Sequence, residues 1–264
     1  TVASLRQAEQ VVIATDSPET LFEVLRLLGR DGQARRVVVV TRTRPVVAMT
    51  RSFGAEHPGI ATATVLHEGG VDTSALLSVL AAQSADLVLR RVGGQWSRPT
   101  LTPAALPMAQ ALSVRADGVY WILGGGSGIG LATAEALARR GAKTIVLSGR
   151  RQQPSPSALE GVRQAGADAR WLSVDVSDAT ALSAARDRIV AEHGVIHGVI
   201  HSAGVLDDGP LVDRDATRVR AVLAPKVVGG PALAEALHEV PLDFLGFVSS
   251  LSARVPSAGQ CDYA

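Results

Sequence analysis

VYWILGGGSGIGLATAEALARRG, residues 119–141, reads as a buried strand, a glycine turn and an amphipathic helix. Val119, Tyr120, Trp121, Ile122 and Leu123 carry no charge, as a parallel strand covered on both faces requires. Gly124, Gly125, Gly126, Ser127, Gly128, Ile129 and Gly130 follow, and then Leu131, Ala134, Leu137 and Ala138 recur at helical spacing. Glycines let the backbone turn tightly and approach a phosphate. The charge of that phosphate then sits against the free N–H groups of the helix start.

Gly124, Gly128 and Gly130 give G-x-x-x-G-x-G, not the G-x-G-x-x-G of the ordinary dinucleotide turn. A turn kept for packing alone is the competing reading. The next strand sharpens the choice: residues 144–147 are apolar and run into Ser148, Gly149, Arg150 and Arg151. Arg150 lies twenty positions after Gly130, where an NAD site places an acid for the ribose hydroxyl and an NADP site an arginine. An arginine cannot accept from a hydroxyl but pairs well with a 2′-phosphate, so the expected cofactor is NADPH. The alternative is that Arg150 and Arg151 are a solvated strand end.

Downstream the alternation continues, with helices expected over 157–165 and 179–193 and strands over 169–174 and 198–201. Such alternation predicts a doubly wound parallel sheet with right-handed crossovers, which binds ligands at the carboxyl ends of its strands. The turn at 124–130, Arg150, Asp175 and residues 202–204 then share one edge. Asp175 can accept from an adenine amino group or cap the following helix; spacing alone leaves both open.

Upstream, residues 1–107 read as a smaller α/β unit, joined by a connector at 108–118 to the cofactor-binding part at 119–264. Strands are expected at 11–14, 37–41 and 61–66. A helix after Ser17 has Pro18 in its first turn and Phe22, Leu25 and Leu28 inward. A further helix is expected over 72–83 with Leu76, Leu77, Val79 and Leu80 inward, and a hairpin around Gly93 and Gly94. The first strand is followed by Thr15, Asp16, Ser17 and Pro18 instead of glycines, so this unit is expected to brace the other and bind no nucleotide. The stretch from Thr100 to Asp117, which leads into and includes most of this connector, is rich in small residues and broken by Pro103 and Pro107.

Composition narrows the class. Of 264 residues, 47% are hydrophobic and 19% charged, which excludes disorder and suits a buried parallel sheet. No apolar run approaches a bilayer span, and the start lacks a signal-peptide pattern, so a cytoplasmic protein is expected. The single cysteine, Cys261, rules out an internal disulfide, and no metal site is expected. A net charge of +1 points to neither nucleic acid nor an anionic membrane.

Four stretches carry a specific resemblance: ADLVLRRVGGQWSRPTL at 85–101, HSAGVLDDGPL at 201–211, LAPKVVGG at 223–230 and FVSSLSARVPSAGQCDYA at 247–264. With the glycine turn they resemble the ketoreductase domains of modular polyketide synthases, within the short-chain dehydrogenase/reductase superfamily. The resemblance implies a Rossmann-like catalytic subdomain beside a smaller, truncated Rossmann-like structural one. It implies NADPH-dependent reduction of a β-ketoacyl group carried on the phosphopantetheine of an acyl carrier protein, next to other domains of the same megasynthase. Tyr263 is then the proton donor, Ser250 the hydroxyl that binds the substrate carbonyl, and Lys226 the cation that orients the cofactor and lowers the phenol's pKa. Thirteen positions separate Ser250 from Tyr263, as the superfamily has it, with a strand ending at Ser250 and a helix carrying Tyr263. The cofactor set is Gly124, Gly128, Ile129, Gly130, Arg150, Asp175, Ala203 and Gly204.

Placing the lysine before the serine and tyrosine is similar to the polyketide branch; generic alcohol dehydrogenases carry it four residues after the tyrosine. Leu206, Asp207 and Asp208 resemble the fingerprint of the B type, which gives the D-configured hydroxyl; the tryptophan of the A type is replaced by Val255. A solvated turn before Gly209 and Pro210 is a compatible reading of the two aspartates. Leu123 and Ser127 stand where the family has threonine and glycine, and a serine would resist positive φ in the turn. The family's asparagine, four positions after the tyrosine, falls beyond Ala264, so a C-terminally incomplete domain is expected, inactive as residues 1–264 alone. A catalytically silent ketoreductase-like scaffold or carrier-docking domain is the alternative of another class.

Overall fold

A computed structural model describes residues 7–31, 33–71, 73–82, 87–105, 114–255 and 257–264. Backbone contacts divide the chain into two compact units. One comprises Thr1–Ala105, Leu206–Val222 and Ser250–Ala264; the other comprises Leu106–Val205 and Leu223–Ser249. The segments bearing Asp207 and Tyr263 therefore group with the N-terminal sheet, where the sequence reading drew its boundary at residue 107. Most of the expected connector, and the ends of the expected 72–83 helix, lie outside the described residues.

The first unit is built on a five-stranded sheet: β1 (Gln10–Ala14), β2 (Arg36–Thr41), β3 (Ala61–His67), β4 (Leu87–Val92) and β5 (Gln95–Ser97), in sequential order. The first four strands are parallel and β5 returns antiparallel through Gly93 and Gly94, both at positive φ, as a tight hairpin turn requires. Helix α1 (Pro18–Asp31) is capped as expected, the Ser17 hydroxyl accepting from the Thr20 amide at 3.1 Å. It buries Leu21, Phe22, Leu25 and Leu28. Helix α2 (Arg44–Glu56), not anticipated above, starts at a proline-containing first turn and buries Val46, Met49, Thr50 and Phe53. In α3 (Thr73–Ala81), Val79 is buried and Leu76 and Leu80 pack on the core, but Leu77 is 59% exposed. The expectation for Leu77 was wrong: one residue beyond Leu76 it is turned about 100° away from the sheet.

The second unit is a parallel sheet of β6 (Val119–Leu123), β7 (Thr144–Gly149), β8 (Asp168–Ser173), β9 (Gly198–His201) and β10 (Phe244–Phe247), in the order β10-β9-β6-β7-β8. The chain builds outward from β6 to β8, then returns to pair β9 with β6, the doubly wound order with its switch point between β6 and β9. Helices α4 (Gly128–Arg139), α5 (Pro156–Gln164), α6 (Ala179–His193) and α8 (Gly229–Ala236) belong to this unit. The division between units falls inside α7 (Ala216–Val227). Alternation along β6 sends Val119, Trp121 and Leu123 into one core and Tyr120 and Ile122 into the other. Leu123, the departure from the family's threonine, is 1% exposed and simply fills that first core. Trp121 satisfies its buried indole N–H on the Ser148 hydroxyl at 2.6 Å.

Candidate functional site

The glycine turn lies at the switch point. Gly124 has φ +78°, and a Cβ there would stand 2.5 Å from the Ala203 backbone nitrogen beyond β9. A Cβ on Gly130 would collide with the Ser202 hydroxyl and the Gly124 carbonyl. These two glycines allow the helix and two strand ends to close on one another. Gly128 differs: its φ is +55°, yet a Cβ would meet nothing within 4 Å. Ser127, Gly128 and Ile129 are exposed, so the first turn of α4 presents its N–H groups to open space. Ser127 has φ −167° and ψ 174°, extended backbone that a serine adopts freely. The conflict expected there does not arise, because the positive φ falls on Gly128. An exposed helix start and a glycine with room in front of it fit a dinucleotide phosphate.

Arg150 is exposed just past β7. Trp171 of β8 stacks over this corner: Cβ atoms on Gly126 and Gly149 would touch its ring, and its N–H donates to the Arg151 carbonyl at 3.1 Å. Asp175 follows β8 and accepts from the amide (2.9 Å) and hydroxyl (2.6 Å) of Ser177 through one oxygen. Those bonds, with a smaller contribution from Arg150, hold its carboxyl below the usual aspartate range. Helix α6 is capped by Asp178, which accepts from Ala181 at 3.0 Å, so Asp175 is not the capping residue.

Ala203 and Gly204 continue from β9, and a Cβ on Gly204 would lie 4.0 Å from the Lys226 side chain. Lys226, in the last turn of α7, donates to the Val248 carbonyl at 2.9 Å. Although the residue is exposed, its ammonium is partly desolvated, and this pushes its pKa down. His201, with no assigned role, is buried with its Nε2 donating to the Pro225 carbonyl at 2.8 Å.

In the first unit, Leu206 is 70% exposed while both aspartates after it are engaged. Asp207 takes a two-pronged contact from Arg218 at 2.5 and 2.8 Å and another from Arg214 at 3.2 Å, and Arg218 foremost holds its pKa down. The solvated-turn reading does not describe Asp207. Asp208 accepts from the Gln260 amide at 2.9 Å. Ser250 lies past the end of β10, not on it, and caps a 3-10 helix at Leu251–Ala253 by accepting from the Ser252 amide at 3.1 Å. Its hydroxyl donates to Ser252 (3.0 Å), which donates to Gln260 (3.2 Å), so Asp208 and Ser250 end one hydrogen-bonded chain. Tyr263 is half-buried in a turn, not the expected helix. One bond from the Ala264 amide to the Gln260 carbonyl, 2.9 Å, closes that turn.

Beside Tyr263, Asp262 meets Arg214 at 2.6 Å, each side chain 1% exposed. Burial outweighs the arginine and pushes the Asp262 pKa up. Arg214, Asp262 and Gln260 are not singled out by the sequence. Isolated polar residues in loops carry no periodicity, and only their pairing across the fold marks them. Among the described residues no cluster could hold a metal ion and no helix is long and apolar enough to cross a membrane.

The KR-domain family model matches residues 118–264. Polyketide synthase ThaG of Burkholderia thailandensis is 39% identical over 173 residues, 65% of this chain and 3% of that protein. Among solved structures, the ketoreductase from the first module of phoslactomycin biosynthesis in Streptomyces sp. HK803 has TM-score 0.84 and 28% identity, covering 100% of this chain and 66% of that one. A ketoreductase domain from the bacillaene assembly line has TM-score 0.81 and 26% identity, covering 94% and 62%. The chain thus spans a small part of the synthase and less than two thirds of either solved chain.

Proposed function

The chain belongs to the KR-domain family, the ketoreductases of polyketide synthases, and on that premise we propose that it is an NADPH-dependent reductase of β-ketoacyl groups. The group to be reduced is carried on the phosphopantetheine of an acyl carrier protein, and the reductase works in the cytoplasm beside the other domains of its synthase.

The observation that carries the reading is the turn at the switch point, with Gly124 against Ala203 and an exposed helix start at Gly128 and Ile129. Gly124, Gly128, Ile129 and Gly130 would hold the pyrophosphate, Ala203 and Gly204 would flank the cofactor, Asp175 would receive the adenine amino group, and Arg150 would select a 2′-phosphate. When bound, the nicotinamide supplies the hydride that reduces the ketone carbon. The chain's own groups handle the oxygen. Ser250 would turn its hydroxyl proton from Ser252 to the carbonyl, and Tyr263 would give that oxygen a proton as negative charge develops. A free phenol, pKa about 10, holds its proton tightly at neutral pH, and a nearby ammonium favours its release. By the family resemblance, Lys226 is assigned that part.

Leu206, Asp207 and Asp208 are assigned to stereocontrol of the B type, giving the D-hydroxyl. Reduction of a β-ketoacyl thioester by NADPH, in a chain carried past Ala264, with chiral analysis of the product, tests both assignments. The D-hydroxy product supports them together, and the opposite hydroxyl removes only the stereochemical one. No turnover, with NADPH still bound, would favour a silent scaffold.

A further inference from the structure

Glu56 is the last residue of α2, where the helix dipole disfavours an acid, so helix stability does not account for it. Its carboxylate is half-buried and occupied on both oxygens. One accepts from the Leu211 amide at 2.7 Å, the other from the Gly259 amide at 3.0 Å. These amides belong to two loops far apart in the chain: one follows Leu206, Asp207 and Asp208, the other lies between Ser250 and Tyr263. The loops are also joined directly, the Gly209 amide donating to the Gly259 carbonyl at 2.8 Å. From the same helix, Arg51 donates to the Arg254 carbonyl within the second loop.

We propose that Glu56 is a positioning residue for the reduction: its two carboxylate oxygens hold the loop of Leu206 to Asp208 and the loop of Ser250 and Tyr263 in one fixed register. The proposal rests on the catalytic reading of those loops. It gives the sheet without a nucleotide turn a specific task. A carboxylate suits that task because it offers two acceptors and no donor, and charge-assisted bonds to backbone N–H groups are the stronger kind. Glutamine would keep one acceptor and turn an N–H₂ toward an N–H; alanine would free both loops.

The test compares wild type with Glu56→Gln and Glu56→Ala by backbone hydrogen exchange, NADPH affinity and product configuration. In Glu56→Ala, exchange at the Leu211 and Gly259 amides should rise about tenfold or more, and in Glu56→Gln at one of them. NADPH affinity should stay unchanged, since the residues assigned to the cofactor lie in the other unit. In the chain carried past Ala264, kcat/KM for a β-ketoacyl thioester should fall about tenfold and the product should become a mixture of hydroxyl configurations. Unchanged exchange at both amides in Glu56→Ala overturns the clasp, whether or not the protein turns over. Looser loops with unchanged kcat/KM and product ratio reduce Glu56 to a purely structural contact and overturn the positioning role. Absence of turnover in wild type would instead count against the catalytic reading, with the exchange data still deciding whether the clasp exists.

Discussion

Replacing Arg214 by methionine should destabilise the fold far more than removing Arg214 and Asp262 together. The two side chains meet at 2.6 Å with 1% exposure each, and the Arg214 Nε has no hydrogen-bond partner among the described residues. In Arg214→Met the Asp262 carboxylate loses its counter-charge while still buried, a loss worth about 3–5 kcal/mol. At roughly 2–4 °C per kcal/mol for a chain of this size, the midpoint should fall by about 6–20 °C. The aspartate can escape part of this cost by taking a proton, and burial already raises its pKa. The sign follows: with the folded pKa above the unfolded one, the native state binds more protons between the two, and stability declines as pH rises through that window. Removing the arginine pushes the upper edge higher, so Arg214→Met should lose more stability than wild type when pH is raised from near the ordinary aspartate pKa to neutrality. Arg214→Met with Asp262→Leu should recover most of the loss, because an apolar pair carries no desolvation cost. Thermal melts at both pH values read all three effects. A single variant as stable as wild type at the higher pH, or a double variant no better than the single, would refute the reasoning.

Gly124→Ala, with positive φ and a backbone atom in the way, should cost about 2–4 kcal/mol in a denaturant melt. Gly128→Ala, strained but in open space, should cost only about 1 kcal/mol yet weaken NADPH binding at least about tenfold; equal effects on both properties would count against a phosphate at that turn. Arg150→Ala should weaken NADPH about tenfold or more in a fluorescence titration and leave NADH affinity unchanged. Burial, above all, holds the His201 pKa below its ordinary value, so the folded protein resists a proton that the unfolded chain accepts. Wild type should therefore lose stability as pH falls below about 6.5, and His201→Gln, which can still donate to Pro225, should show a flatter profile in melts across that range.

Much of the fold was legible because buried parallel strands and glycine turns leave strong local marks. Residues 119–141 announce β6, the turn and α4, and Ser17 with Pro18 announces the start of α1. Helix α2 was equally legible in principle, since Val46, Met49, Thr50 and Phe53 repeat at helical spacing after a proline. The turn's detail was not: spacing cannot say that the positive φ belongs to Gly128 and leaves Ser127 extended. Nor could it reach Arg214 with Asp262, or Glu56 with two backbone amides. Those partners lie tens to hundreds of positions apart, and the amides contribute no side chain to read. Of the residues proposed for the cofactor, Gly124, Arg150, Asp175 and Ala203 stood out because each follows closely on the end of a strand. The residues that hold the Asp207 and Tyr263 loops did not, because only the folded chain brings them together.

The most direct test of the account is NADPH consumption with a β-ketoacyl thioester by the chain carried past Ala264, compared with its Tyr263→Phe variant. Wild type should turn over, and the variant should lose about a hundredfold or more with NADPH affinity retained, as expected when only the proton donor is removed. Equal rates in the two proteins, or binding of NADPH without any reduction, would contradict it.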